Sequence, residues 1–172
     1  MLNRPLRAAF PSTLVGWALA AVSLPAGAAL GGAPMATPSG ATSVTSAPTA
    51  HVASAATAAA SSNASASTAY AVRETQLATG TTIREYIGAD GKVFGIAWSG
   101  PRMPDLQALL GSYFPQYASG VQAVHAVRHS RGPIAIEQPD LVVHSGGHMG
   151  SFFGQAWLPS ALPSGLTGAD IK

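Results

Sequence analysis

The chain of 172 residues contains no cysteine. That removes disulfides, thiolate metal sites and thiol nucleophiles together. Charge is also scarce, with nine Lys/Arg against seven Asp/Glu. Two of the basic residues, Arg4 and Arg7, lie at the N-terminus, and the remaining seven balance the seven acids, all of which lie downstream. The basic balance therefore belongs to the N-terminal segment, and it gives no reason to expect nucleic acid, whose backbone demands a clustered positive surface. The phosphate-cradling P-loop, the dinucleotide fingerprint, the H-E-x-x-H zinc helix and the G-x-S-x-G elbow are all missing.

What the N-terminus does contain reads as an export signal. Arg4 and Arg7 form a basic region, Ala8 to Leu24 an apolar stretch of 17 residues, and Pro25-Ala26-Gly27-Ala28 a small-residue exit. Residues 1–28 are accordingly expected to be a signal peptide, and the protein periplasmic or secreted, with no membrane span once the signal is removed. The alternative is a retained anchor, since 17 apolar residues approach the lower limit for a span.

Residues 29–69 carry no Asp, Glu, Lys or Arg and consist almost wholly of Ala, Ser, Thr, Gly and Pro, the exceptions being Leu30, Met35, Val44, His51, Val52 and Asn63. Such side chains bury too little apolar surface to offset the entropy of ordering, so this segment is expected to be a flexible linker of about 35 Å root-mean-square span. Asn63-Ala64-Ser65 matches a glycosylation sequon.

At Tyr70 the composition changes, and residues 70–172 read as a single α+β domain. The expected architecture is a small antiparallel sheet of five to six strands with one main helix. YAVRETQL, Thr81 to Ile87 and Lys92 to Trp98 have strand character, the last two flanking the hairpin loop Gly88-Ala89-Asp90-Gly91. Period two places Phe94, Ile96 and Trp98 on one face and Val93, Gly95 and Ala97 on the other, so this is expected to be a central strand covered on both sides. MPDLQALLG gives the most legible helix, with Pro104 at the first helical position, Asp105 favoured by the helix dipole and Gly111 as a stop. Val121 to His129 fits either a helix face or a strand face, with the balance toward a helix ending near Ala126. Ile134 to Glu137 reads as a short strand, and Asp140 to Ser145 with Ser151 to Leu158 as a last hairpin.

FGIAW at 94–98 and FGQAW at 153–157 agree in four of five positions, 59 residues apart. Either both hairpins meet the same packing demand independently, or they descend from a duplication and are related by a pseudo-twofold. Both readings expect matching backbones over 83–98 and 142–157, with His148 at a hairpin tip.

The chemistry-bearing residues are few. His125, His129, His144 and His148 are the candidate metal ligands, since imidazole suits zinc, copper or nickel, but a site needs three or four converging donors and the surrounding glycines make a poor rigid shell. Ser145 neighbours His144, yet neighbours on a strand point to opposite faces. The carboxylates are dispersed, so no acid–base pair and no catalytic residue can be named. No cofactor is implied. Consecutive Phe152 and Phe153 must also point to opposite faces, which makes one of them a candidate contact surface.

The motifs LGGAP, VRETQLATGTTIREYI, DGKVFGIAWSGPRMPDLQALLGSYF, LVVHSGGHMGSFFGQAWLP and LPSGL, in this order over residues 29–32 and 70–172, resemble the bacterial secreted family known as domain of unknown function 2844. The resemblance implies export and a single small domain, and it supplies no activity, cofactor or catalytic residue. The expected function is a non-catalytic binding or assembly module of the bacterial envelope, its partner another envelope protein. The alternatives are a small metal or ligand binder using the C-terminal histidines and, third, an enzyme.

Overall fold

The computed structural model of the chain describes residues 30–50, 69–128 and 132–172. The expected signal peptide, the sequon and His129 lie outside these. Seven strands form one antiparallel sheet: β1 (Thr42–Ala50), β2 (Ala69–Gln76), β3 (Thr82–Ile87), β4 (Val93–Gly100), β5 (Ile134–Glu137), β6 (Val142–His148) and β7 (Ser151–Trp157). Their order is β1-β2-β3-β4-β7-β6-β5, so β4 and β7 stand side by side at its middle. Two helices, α1 (Leu106–Leu110) and α2 (Phe114–Arg128), join β4 to β5. The sheet therefore has seven strands among the described residues, where five to six were expected.

The additional strand is β1, which lies inside the segment expected to be a linker. That expectation is corrected over residues 30–50. The first half of β1 buries little, since Thr42, Val44, Thr45 and Ser46 are exposed. Its β-branched residues suit an extended edge strand, and its main chain is satisfied by β2, with Thr42 opposite Gln76 and Ser46 opposite Val72. The register shifts between Ser46 and Thr49, and Pro48 falls in this irregularity, where its missing N–H breaks no ladder bond.

Upstream of β1 the chain forms a strap across the sheet. Leu30 and Met35 are buried in the main core. The Leu30 amide donates to the Leu109 carbonyl, the Gly31 amide to that of Val93 (2.7 Å), and the Val93 amide to that of Gly32. These two large apolar side chains, each worth about 1.5–3 kcal/mol when fully buried, act together with the backbone bonds to hold this segment.

The strap and helices cover one face of the sheet. Ile83, Val93, Ile96, Trp98, Val143 and Ala156 meet Leu109 and Leu110 there, with Tyr113, Phe114 and Tyr117 packed against them. The main helix is α2, although the sequence marks α1 more clearly. In α1 Asp105 is the N-cap, its carboxylate accepting from the amides of Gln107 and Ala108, so Pro104 precedes the helix instead of opening it. Val121 to Arg128 is helical, which settles the ambiguous segment two residues beyond the expected end. α2 presents a half-buried stripe at Phe114, Tyr117, Val121 and Val124 while Val127 is 82% exposed.

The other face carries a second cluster of Tyr70, Tyr86, Phe94, Ala97, Trp157 and Ile171. Phe94 joins Ala97 here because β4 holds a bulge: Tyr86 opposes Gly95 and Ile87 opposes Val93, leaving Phe94 unopposed. The expected grouping of Phe94 with Ile96 and Trp98 fails, because the extra residue interrupts the alternation.

The two hairpins share a register. Ile83 faces Trp98 as Val142 faces Trp157, and Glu85 faces Ile96 as His144 faces Gln155. They do not share their turns, since β6 and β7 close over Met149-Gly150 with His148 opposite Ser151, whereas β3 and β4 are joined by five residues and the bulge. Nor do they share faces. Trp98 and Ala156 belong to the helix-side core, Trp157 and Ala97 to the opposite one. A pseudo-twofold normal to the sheet would keep counterparts on one face, so the hairpins are not related that way. What recurs is a local solution, a Trp directly across from a Gly: Trp98 opposes Gly154 and Trp157 opposes Gly95. A Cβ on Gly154 would fall 2.2 Å from Trp98 Cζ2.

Candidate functional site

The sheet face away from the helices is covered along only part of its area. After β7 the chain returns across it, Leu162 and Leu166 packing against the second cluster and Ile171 fully buried over Gly95. The turn at Gly168–Asp170 is held by a capping box, in which the Thr167 amide and hydroxyl both donate to Asp170 Oδ2 at 2.8 Å. These bonds hold the Asp170 carboxyl below its ordinary range. The segment ends where the Lys172 amide donates to Tyr86 Oη (3.0 Å) and Tyr86 Oη donates to the Lys172 carbonyl (2.7 Å).

Beside this tail the face is open and concave, with a volume of about 530 Å³. Cross-strand pairing builds its floor in two rows. Arg84, Ala97, Gln155, His144 and Ala135 stand opposite one another across β3, β4, β7, β6 and β5. The next row is Thr82, Ser99, Phe153 and Gly146. Ala97 and Ser99 are the low points between taller flanks, and Pro133 and Lys172 also line the hollow.

Each polar flank is fixed by a neighbour. Arg84 Nε donates to Glu74 Oε2 at 2.8 Å, and its Nη1 to the Lys172 carbonyl at 3.4 Å. Both members of the Arg84–Glu74 pair are about half exposed, so the pair orients the guanidinium more than it stabilises the fold. His144 Nε2 lies 3.2 Å from Glu137 Oε1, and the imidazole meets the Trp157 ring edge-on at 5.2 Å. With the carboxylate ionised, Nε2 is the donor.

The four candidate ligand histidines do not assemble. His144 lines the concavity. His148, four residues along the same extended strand and so about 13 Å away, sits beside the β6–β7 turn with Nδ1 3.1 Å from the Met149 carbonyl oxygen. His125 is exposed on α2. Among the described residues no three His, Asp or Glu groups are placed to hold a metal ion. Ser145 is buried and points away from His144, toward the helix side. Of the two phenylalanines, Phe152 is half-buried and Phe153 is 56% exposed in the concavity.

Sequence reasoning missed Arg84, Gln155 and Ser99, which become neighbours only through the strand register. It also missed a second constellation on the helix side. Glu85 is fully buried; its Oε1 accepts from the Met35 amide (2.7 Å) and its Oε2 lies 3.9 Å from Arg73 Nη1. Arg73 in turn donates to the Met35 carbonyl and, through Nη2, to Thr37 Oγ1 at 2.7 Å. Burial pushes the Glu85 carboxyl above its ordinary value, against the opposing pull of the Met35 amide and Arg73. This pair fastens the strap and lies under it, so its role is structural. A charged residue in the middle of an otherwise alternating strand, as in TIREYI, was the available signal.

No helix among the described residues is long and apolar enough to cross a membrane. No curated protein and no solved structure matches the chain. A family does match, over residues 26–171, from ahead of the strap to the buried Ile171. The segments that build both covers of the sheet thus fall inside one family unit, and the chain belongs to the family described as Protein of unknown function (DUF2844).

Proposed function

We propose that the protein is an exported, non-catalytic binding module of the bacterial envelope, and that the concave half of the outer sheet face is its binding surface. The observation that carries this reading is Phe153. It is a large aromatic left 56% exposed at the centre of a folded sheet, in a hollow lined also by the apolar residues Ala97, Trp98, Pro133, Ile134 and Ala135. Exposed aromatic groups set in a concave patch with a few oriented polar neighbours are the usual form of a binding surface. The basic region, apolar stretch and small-residue exit of residues 1–28 support export. His144 fits a binding role, because its carboxylate partner Glu137 fixes the ring while Ser145 lies on the far side of the strand.

Two measurements test it. Residues 1–28 fused to a reporter active only outside the cytoplasm are expected to give activity, and a silent fusion would remove the export part. A photoreactive amino acid at position 153 is expected to give adducts in living cells that the same group at position 149 does not. Met149 is 93% exposed but sits at the hairpin tip, outside the concavity. Equal labelling at the two positions, or none at either, would remove the binding-surface part.

A further inference from the structure

We infer that the concavity takes a small anionic amphipathic molecule, with its apolar body along Ala97, Ala135, Pro133 and Phe153 and its carboxylate or sulfonate at Arg84 and Lys172. This rests on the binding-surface reading above and names the class of ligand. The hollow of about 530 Å³ lies within the range of pockets that take small organic ligands, and its mixture of apolar walls with a few placed polar groups is typical of them.

The charge of the lining sets the class. Arg84, Lys172 and His144 line the hollow, and no Asp or Glu does. The nearby carboxylates stand behind the bases and offset part of their charge, Glu74 on Arg84 Nε and Glu137 on His144, while Asp170 is held by the amide and hydroxyl of Thr167; what the hollow offers an anion is therefore free donors on Arg84 and the Lys172 ammonium. These bonds turn the bases without occupying all their donors. Arg84 is engaged through Nε and Nη1, and its Nη2 has no partner among the described residues. A guanidinium fixed on one edge and open on the other is suited to a planar oxyanion. Arg84 and His144 are three strands apart in their shared row, about 14 Å. An anion at Arg84 therefore leaves room for a body lying across Ala97 and Gln155 toward His144. Ser99, Thr82 and Gln155 supply hydrogen-bonding groups at the floor.

The test uses two dyes with one aromatic framework. Anilinonaphthalene sulfonate, which carries the anion, is titrated into the purified full chain. Saturable fluorescence enhancement at one site is expected, with Arg84→Gln weakening it about tenfold, the equivalent of one charge-assisted hydrogen bond. Neutral phenylnaphthylamine is expected to bind about tenfold more weakly and to be indifferent to Arg84→Gln. Ser99 is exposed in the hollow, so Ser99→Trp is expected to fill it and abolish binding without disturbing either core. Unchanged near-ultraviolet circular dichroism in both variants keeps loss of binding distinct from loss of fold. Absence of saturable binding, equal affinity for the two dyes, or binding that survives both substitutions would overturn the inference. If the dye fails while position 153 still crosslinks selectively in cells, the ligand class is wrong and the binding surface stands. If both fail, the surface goes with it.

Discussion

The two faces of this sheet are built from the same strands and finished differently. On the helix side α1, α2 and the strap seal the surface, and Ile83, Val93, Ile96, Leu109, Leu110, Leu141 and Val143 are all at most 2% exposed. On the other side the returning segment after β7 covers Tyr70, Tyr86, Phe94 and Trp157, while the rows around Ala97 and Phe153 line an open hollow. One face shows how the fold is held, and the other where it can act. Phe152 and Phe153, adjacent in sequence, fall on either side of that division.

Substitutions on the two sides should therefore differ in kind. The largest effect is expected at Trp98, 2% exposed in the sealed core: Trp98→Ala should lower stability by about 3–5 kcal/mol in urea unfolding, and a loss below about 1 kcal/mol would contradict the packing described. Leu30→Ala should cost about 2–5 kcal/mol. A negligible cost there would return residues 30–37 to the status of a linker.

A third prediction concerns pH. Glu85 has its carboxyl raised above the ordinary value of 4.5 by burial. Between that ordinary value and the raised one the folded state holds the proton more tightly than the unfolded state. The contribution is fully present below the unfolded value and is lost as pH rises through the folded one. Unfolding curves of Glu85→Gln and the unaltered chain should thus diverge in the variant's favour as pH increases above 4.5. A constant offset between them would show that Glu85 is charged in the fold throughout. The smallest effect is expected at Phe153, where replacement by Ala should shift stability by no more than about 0.5 kcal/mol. The same change should weaken dye binding, and a large stability loss would place the ring in the core.

Much of this division was legible beforehand. The β-branched and aromatic run TTIREYI and the apolar run KVFGIAW, set between turn residues, located β3 and β4, and the impossibility of burying Phe152 and Phe153 together on one side pointed to the exposed ring. The strap and β1 were not legible, because composition measures how much a segment can bury on average. Leu30 and Met35 are only two side chains, and β1 depends on main-chain pairing with β2. α2 was read weakly because none of residues 114–127 is fully buried, so its apolar stripe is faint. The floor of the hollow was hidden for another reason. Arg84, Ala97 and Gln155 are far apart in the chain and meet only once strand order and register are known. The repeated Phe-Gly-x-Ala-Trp pentapeptide invited a symmetry argument, but an offset that interchanges the faces turned the two copies into opposite halves of the packing.

Leu30 and Ile171, at 1% and 0% exposed, lie within a residue or two of the limits of the described fold and are buried on opposite sides of the sheet. A reporter, affinity handle or surface attachment joined directly at either place would compete with an anchor for its seat. Fusions to this protein should carry spacers at both junctions, and any protease that trims it harmlessly from the front must cut ahead of Leu30.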